Sequence, residues 1–435
     1  MGNSLGKITV VLGLQRGDEG KGRFVDMLAG DHQVIARFNG GPNAGHSVTN
    51  GQVELKLHQL PSGILYEDNL NVVGNGMLLD PLRLQDEITE VSAAGVKISP
   101  KNLLISNQAH LILPHHVALD EVREAGAGGQ GSTKRGIAFA AADKYERIGV
   151  RAEDIAVGEA VKDEALAKLQ AVMQANPGVE FANPDAEAYV AKWWKAAQAL
   201  APFLRDTVEA VHDALAAGKN VLAEGAQAFG IDIEHGMYPY VTSSHTTTGG
   251  VLNGLGVGAN RIGRVVGVAK AVKSHVGGGP FVTEMLDEAT ATQWRGPKGK
   301  IDSEYGSTTG RPRRIGFFDL PELRQAIRVN GVTELALTKL DVLSEFGKDK
   351  ITVCVAYDDG SGNQLSHAPS SGTRLAACKP VYKEFPLWTE PLRDVREFSA
   401  LPQAAQDFIT MLESELAVPI NMIGVGPERD QVIVK

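Results

Sequence analysis

The chain has 435 residues, 43% hydrophobic and 22% charged, with a formal net charge of −9. That composition is ordinary for a soluble globular protein, and its acidic balance argues against a general nucleic-acid or membrane-surface binder, which needs a basic face for phosphates. Two cysteines, Cys354 and Cys378, support neither a disulfide framework nor a cysteine-based zinc site; with no leader-like flank and no run of about 18 uncharged apolar residues, a cytoplasmic protein is expected.

In chain order, residues 7–14 form a β-branched apolar run, followed by QRGDEGKG and then by RFVDMLAG, whose apolar spacing suits a helix. Strand, glycine loop and helix is the arrangement in which backbone N–H groups and the helix dipole receive phosphate. The loop Gly17-Asp18-Glu19-Gly20-Lys21-Gly22 looks like a shortened phosphate loop, with Lys21 as a point charge. Asp18 is its telling residue, because a carboxylate among phosphate-binding amides repels the ligand unless it holds Mg²⁺ or accepts a proton. Residues 34–38 read as the next strand and lead into NGGPNAGHSV, which presents Asn43 and His46. A lone histidine is more often structural; beside an acidic phosphate loop it becomes a plausible acid or electrophile for an oxygen being phosphorylated.

Further buried-strand runs occur at 70–73, 103–105, 221–223, 265–268, 335–338, 351–355 and 420–423. Between them, 186–218 has helical spacing, with Pro202 as a break, Gly218 as a stop and Trp193 and Trp194 assigned to packing. The stretch 306–314, GSTTGRPRR, places three arginines among glycines and hydroxyls, a composition that suits bidentate anion binding better than a solvated charge run. Thr338-Lys339-Leu340-Asp341 ends the run ELAL; there a lysine stem could lie along a purine face while the aspartate accepts from guanine N1 and N2, although a strand end with a capping aspartate is equally compatible. No repeat or linker divides the chain. The expected fold is α/β: one large domain over residues 1–435, with a mostly parallel central sheet flanked by helices and the phosphate loop after the first strand.

The phosphate loop, NGGPNAGH, GSTKRGIAFAAADKYER, EGAQAFGIDIEHGMYPYVTSSHTT, STTGRPRR and TKLD occur in this order, and from Ile8 to Arg429 the sequence resembles the adenylosuccinate synthetases. That resemblance implies GTP-dependent ligation of L-aspartate to IMP through 6-phosphoryl-IMP, with Mg²⁺ as cofactor and a homodimer as the assembly. It implies that Asp18, His46, Lys21 and Gln227 are catalytic, and that Asn43, Thr133, Arg147, Gln227, Thr242 and Arg311 bind IMP, Arg147 acting on the neighbouring subunit. Thr308, Thr309, Arg311 and Arg313 would hold aspartate. Gly17, Glu19, Gly20, Lys21, Gly22, Lys339, Asp341, Gly424 and Gly426 would bind GTP, and Asp18 with the Gly45 carbonyl would hold the metal. Loops around Gly41, Gly129 and Gly306 are expected to order on ligand binding.

Several positions depart from the family pattern. Arg16 replaces tryptophan; Lys134, Ala138, Phe139, Ala141 and Ala142 replace Gly, Gly, Pro, Tyr and Glu; and Gly424-Val425-Gly426-Pro427 stands for Ser-Thr-Gly-Pro, which bears on the GTP preference. The alternatives are a paralogue acting on another 6-oxopurine nucleotide such as dGMP, one using another amine, and a non-catalytic guanine-nucleotide-binding protein. Asp18, His46 and the threonine–arginine set weigh against them.

Overall fold

The computed structural model describes residues 5–49, 54–126, 131–300, 303–306, 310–344 and 350–435. Its central sheet has ten strands: β1 (Ile8–Gly13), β2 (Val34–Arg37), β3 (Leu70–Val73), β4 (Leu103–Ser106), β5 (Leu204–Arg205), β6 (Val221–Glu224), β7 (Ile262–Lys270), β8 (Glu334–Thr338), β9 (Ile420–Gly424) and β10 (Val432–Val434). They lie in the order β10-β9-β8-β7-β1-β6-β2-β3-β4-β5, every neighbour parallel except β9 and β10. The expected mostly parallel α/β sheet is therefore present.

Burial on both faces explains why the central strands read as continuous apolar runs. Along β1, Val10 and Leu12 join a layer containing Val251 and Leu255, while Val11 packs with Phe24 and Val25 of α1 (Lys21–Ala29) on the other face. A second core gathers α2 (Pro81–Ala93), α3 (Pro114–Ala125) and, after α4 (Ile137–Glu146), α5 (Glu159–Ala175) and α6 (Ala186–Leu200). Trp193 and Trp194 are buried there, and Trp193 Nε1 donates to the Ile112 carbonyl at 3.0 Å, which bears out the packing assignment. The break at Pro202 also holds: a 3-10 turn Ala201–Phe203 and β5 separate α6 from the helix Thr207–Ala216. Among the described residues no helix is long and apolar enough to cross a membrane.

One predicted strand lies elsewhere. Residues 351–355 belong to Lys350–Asp358, which pairs antiparallel with Lys379–Pro386 in a separate small sheet. Several of its positions are partly exposed, unlike the wholly buried β1 and β6.

Arg16, at the tryptophan position, is tied in by charge. Its Nε lies 3.1 Å from Glu322, its Nη1 donates to the Pro280 carbonyl at 2.7 Å, and its guanidinium lies over the Phe281 ring. Lys273 bridges the same Glu322 to Asp319, which accepts a bond from the buried Tyr357 hydroxyl. Burial opposes ionisation of Glu322, but Arg16 and Lys273 outweigh it and bring the carboxyl down to about 2. A depressed carboxyl stabilises the fold above its ordinary value of 4.5 and loses that contribution as pH falls toward 2. Glu322→Gln should therefore cost about 3 kcal/mol at pH 7, as for other broken buried pairs. Urea unfolding should show the difference from the parent intact above pH 4.5 and narrowing below it.

Glycine is required where the helix Thr248–Leu255 crosses the end of β2: a Cβ on Gly254 would sit 2.1 Å from the Phe38 carbonyl oxygen. Gly254→Ala should lower stability by about 2 kcal/mol through overpacking, read as a lower midpoint in thermal unfolding.

Candidate active site

The carboxyl ends of the parallel strands are where an open α/β sheet leaves a crevice. β1 ends in the loop 14–20, β2 leads to Asn43 and His46, β6 to Gln227, β7 to Lys273–His275, β8 to Lys339 and Asp341, and β9 to Gly426. Together they border one cleft of about 1060 Å³.

The loop after β1 turns through left-handed backbone at Gly17 (φ 95°), Asp18 (57°) and Gly20 (86°), strained only at Asp18. α1 then begins at Lys21 without a side-chain cap, so its first N–H groups suit an anion. Glu19 holds the turn from inside. Its carboxylate accepts the Gly17 N–H at 2.7 Å and the Gln15 N–H at 3.3 Å and pairs with Lys21 Nζ at 2.8 Å. Its side chain is thus a strut within the loop, and only the Glu19 backbone is placed to meet a nucleotide. From β7, the Gln15 amide and the Lys270 backbone exchange two 3.0 Å bonds, and Lys270 Nζ reaches the Gly17 and Asp18 carbonyls at 3.3 and 3.4 Å.

His46 lies on the strand His46–Thr49, which pairs antiparallel with Glu54–Leu57, and its buried Nδ1 makes a close hydrogen bond with Glu224 at the end of β6. Burial lowers the imidazole below its usual range, with Glu224 opposing and the buried Arg37 reinforcing. Burial also pushes Glu224 up, but His46, Arg37 and the Ser62 N–H outweigh it and keep the carboxyl below its usual range. Across the cleft, Gln227 (φ 58°) donates to Asn43 Oδ1 at 3.2 Å, and its Oε1 is buried without a partner among the described residues.

Asp18 pairs with Arg313 at 2.8 Å. Arg313 also bonds the buried Glu304, which draws in Lys339 and Ser274 as well. Arg311 Nη2 donates to the Gly131 carbonyl at 2.7 Å, joining Arg311 to the segment carrying Thr133. Asp341 is buried, 3.4 Å from Arg393 Nε.

Of the expected residues, the cleft gathers Gly17, Asp18, Glu19, Gly20, Lys21, Gly22, Asn43, Gly45, His46, Thr133, Gln227, Thr242, Arg311, Arg313, Lys339, Asp341 and Gly426. It does not include Gly424, where a Cβ would meet Arg23 Nη1 and Thr338 Cα in ordinary contact at 3.4 Å, nor Arg147, which is exposed at the left-handed end of α4. Thr308, Thr309 and Gly129 lie outside the described residues. Lys134 takes φ 54°, the conformation that explains the family's glycine there, and its side chain is exposed.

Two residues of the cleft, Arg23 and Asp120, and the buried Glu304 that bonds its Arg313 and Lys339, escaped sequence reasoning. Arg23 donates at 2.6 Å to the Gly426 and Gln431 carbonyls and fastens the C-terminal loop. Asp120 accepts from Ser132 Oγ and the Gly136 N–H, shaping the loop of Thr133. Glu304 was the most discoverable, as a carboxylate two residues before an arginine-rich glycine loop.

The Asp18 carboxylate and the Gly45 carbonyl border the same cleft and are hard oxygen donors of the kind Mg²⁺ takes. Another group, His115, His116 and Asp143, could hold a metal by spacing. There the Leu113 N–H donates to His116 Nδ1 at 3.0 Å, which leaves the neutral ring's proton on Nε2, 2.9 Å from Asp143. That pattern fits a clasp between α3 and α4.

A family model for adenylosuccinate synthetase matches residues 10–433. The chain is 44% identical over 431 residues to an adenylosuccinate synthetase of Clostridium beijerinckii and 43% over 432 residues to that of Clostridium perfringens, with 98% of each chain covered in both cases. The fully ligated adenylosuccinate synthetase from Plasmodium falciparum superposes with a TM-score of 0.89 at 37% identity, covering 99% of this chain and 100% of that one. A cyanophage S-2L succinoaminodeoxyadenylate synthetase, bound to dGMP and dATP, shares the fold at a TM-score of 0.57 and 20% identity, with 99% and 95% covered. The chain belongs to the adenylosuccinate synthetase family of ligases.

Proposed function

We propose that the protein joins L-aspartate to IMP with GTP as phosphoryl donor, giving adenylosuccinate, GDP and phosphate in the cytoplasm. The observation that carries this reading is the convergence of Asp18, His46 and Gln227 on one cleft with Lys339 and Asp341. A 6-oxopurine carbon is a poor electrophile until its oxygen becomes a phosphate leaving group, so two steps are needed.

In the first, Asp18 takes the N1 proton of IMP as O6 attacks the γ-phosphorus of GTP, and the bond to the β,γ-bridging oxygen breaks to release GDP. Gln227 Oε1, buried without a partner among the described residues, is suited to accept from the purine. His46 supports the charge developing around O6; its bond to Glu224 orients the ring and favours the cationic form once phosphates arrive. Lys21 and the loop amides hold the transferred phosphoryl group. Mg²⁺, held by Asp18 and the Gly45 carbonyl, would supply charge neutralisation between the phosphates. In the second step the amine of aspartate forms a bond to C6, and the C6–O6 bond breaks as phosphate leaves with O6.

Asn43, Thr133, Thr242 and Arg311 are assigned to IMP, and Thr308, Thr309, Arg311 and Arg313 to aspartate. Arg313 is paired with Asp18 here. A substrate carboxylate that recruits the guanidinium would free Asp18 for its own work. Lys339 and Asp341 are assigned to guanine, and Gly17, Glu19, Gly20, Gly22, Gly424 and Gly426 to the GTP site through backbone or packing. Arg147 is assigned to the partner subunit's IMP phosphate in a homodimer, its exposure at the end of α4 being compatible with a contact in trans.

The protein incubated with IMP, L-aspartate, Mg²⁺ and GTP should form adenylosuccinate by absorbance and mass, and omission of any one component should stop it. Equal turnover with ATP would contradict the base assignment; no product from folded protein would move the substrate to another 6-oxopurine nucleotide, dGMP first. Asp18→Ala should abolish turnover, and His46→Asn should slow it by about 10²-fold or more. Parental rates in either variant would remove that residue from the chemistry. Arg147→Leu should raise the KM for IMP, and mixing it with Asp18→Ala should recover activity in the hybrid dimer. No recovery after verified subunit exchange would place Arg147 outside the site.

A further inference from the structure

Glu304 is only 1% exposed and is fixed from both sides by its backbone, which donates to the Arg295 carbonyl at 2.7 Å and accepts from the Arg313 N–H at 3.0 Å. Its two carboxylate oxygens take different partners. Oε1 takes the Lys339 ammonium, while Oε2 takes Arg313 at 2.5 Å and Ser274 at 2.6 Å, with Lys270 Nζ 3.7 Å away. One buried carboxylate therefore serves the lysine assigned to the purine base, the arginine assigned to aspartate, and the lysine that bonds the phosphate-loop carbonyls.

We propose that Glu304 is a positioning residue that couples filling of the nucleotide-base pocket to filling of the aspartate pocket. The inference rests on the assignments of Lys339 and Arg313 made above. Three cations share one carboxylate. A base that draws Lys339 onto its face loosens the hold on Oε1 and leaves the charge of Glu304 to Arg313 and Lys270. Arg313, shared until then with Asp18, is held more firmly by Glu304, so less of its freedom remains to be lost when a substrate carboxylate binds. Nucleotide binding then favours aspartate binding, and aspartate favours nucleotide by the same factor.

Calorimetry with IMP and Mg²⁺ saturating, and GDP in place of GTP to prevent turnover, reads this coupling as the Kd for L-aspartate with and without GDP. In the parent protein GDP should tighten aspartate by about fivefold or more, whereas in Glu304→Gln the factor should fall to within about twofold. Glu304→Asp keeps the charge on a shorter stem and should give an intermediate factor. IMP affinity and the thermal midpoint report the folded state of each variant independently. A parental coupling factor in Glu304→Gln overturns the proposal, as does a parent protein that binds both ligands without coupling. Should Glu304→Gln not fold, Glu304→Asp decides, an undiminished factor being the contrary result. A parent protein that binds neither GDP nor aspartate instead contradicts the proposed function itself.

Discussion

A left-handed turn at residues 17–20 links β1 to α1, and the buried Glu19 carboxylate holds its backbone. By taking the Gly17 and Gln15 N–H groups and neutralising Lys21, it fixes the backbone from within and leaves the start of α1 to the cleft. The Gln15–Lys270 exchange ties the loop to β7, and Thr338 Oγ1 ties it to β8 at 3.0 Å. The ends of β7 and β8 are thereby held in register with the turn that carries Asp18.

Around that turn the site is a balance of buried charge. The buried Glu224 and Glu304 face His46, Arg313, Lys270 and Lys339 at short range, in surroundings where an unpaired ion is costly, and the exposed Asp18 pairs with Arg313 at their edge. Burial brings the Lys270 ammonium down to about 8, against the pull of Glu304.

How far the sequence discloses this depends on whether a feature is local. β1, the phosphate loop and α1 were legible because an apolar run, glycines at turn positions and helical spacing follow one another within about two dozen residues. The NGGPNAGH, arginine and TKLD clusters were legible for the same reason, and most of their side chains meet in the cleft. The strand at 351–355 was misplaced because periodicity gives a strand's type but not its partner. β5 and β10, with two and three residues, are too short for any pattern to show. Glu19 was read by its place among phosphate-binding amides, whereas its orientation follows from contacts the loop makes with itself. Arg23 works through partners hundreds of residues away, which no local spacing reports, whereas Glu304 stands two residues before the arginine cluster but also gathers Ser274 and Lys339 from 30 and 35 residues away.

The central claim is that purine O6 is converted to a leaving group inside this cleft, and the most direct measurement follows that atom. IMP carrying heavy oxygen at O6 should be turned over with GTP and L-aspartate, and the inorganic phosphate analysed by mass spectrometry. The mechanism predicts one labelled oxygen in each phosphate released. Adenylosuccinate formed with unlabelled phosphate would contradict it, because O6 would then have left without ever having been phosphorylated.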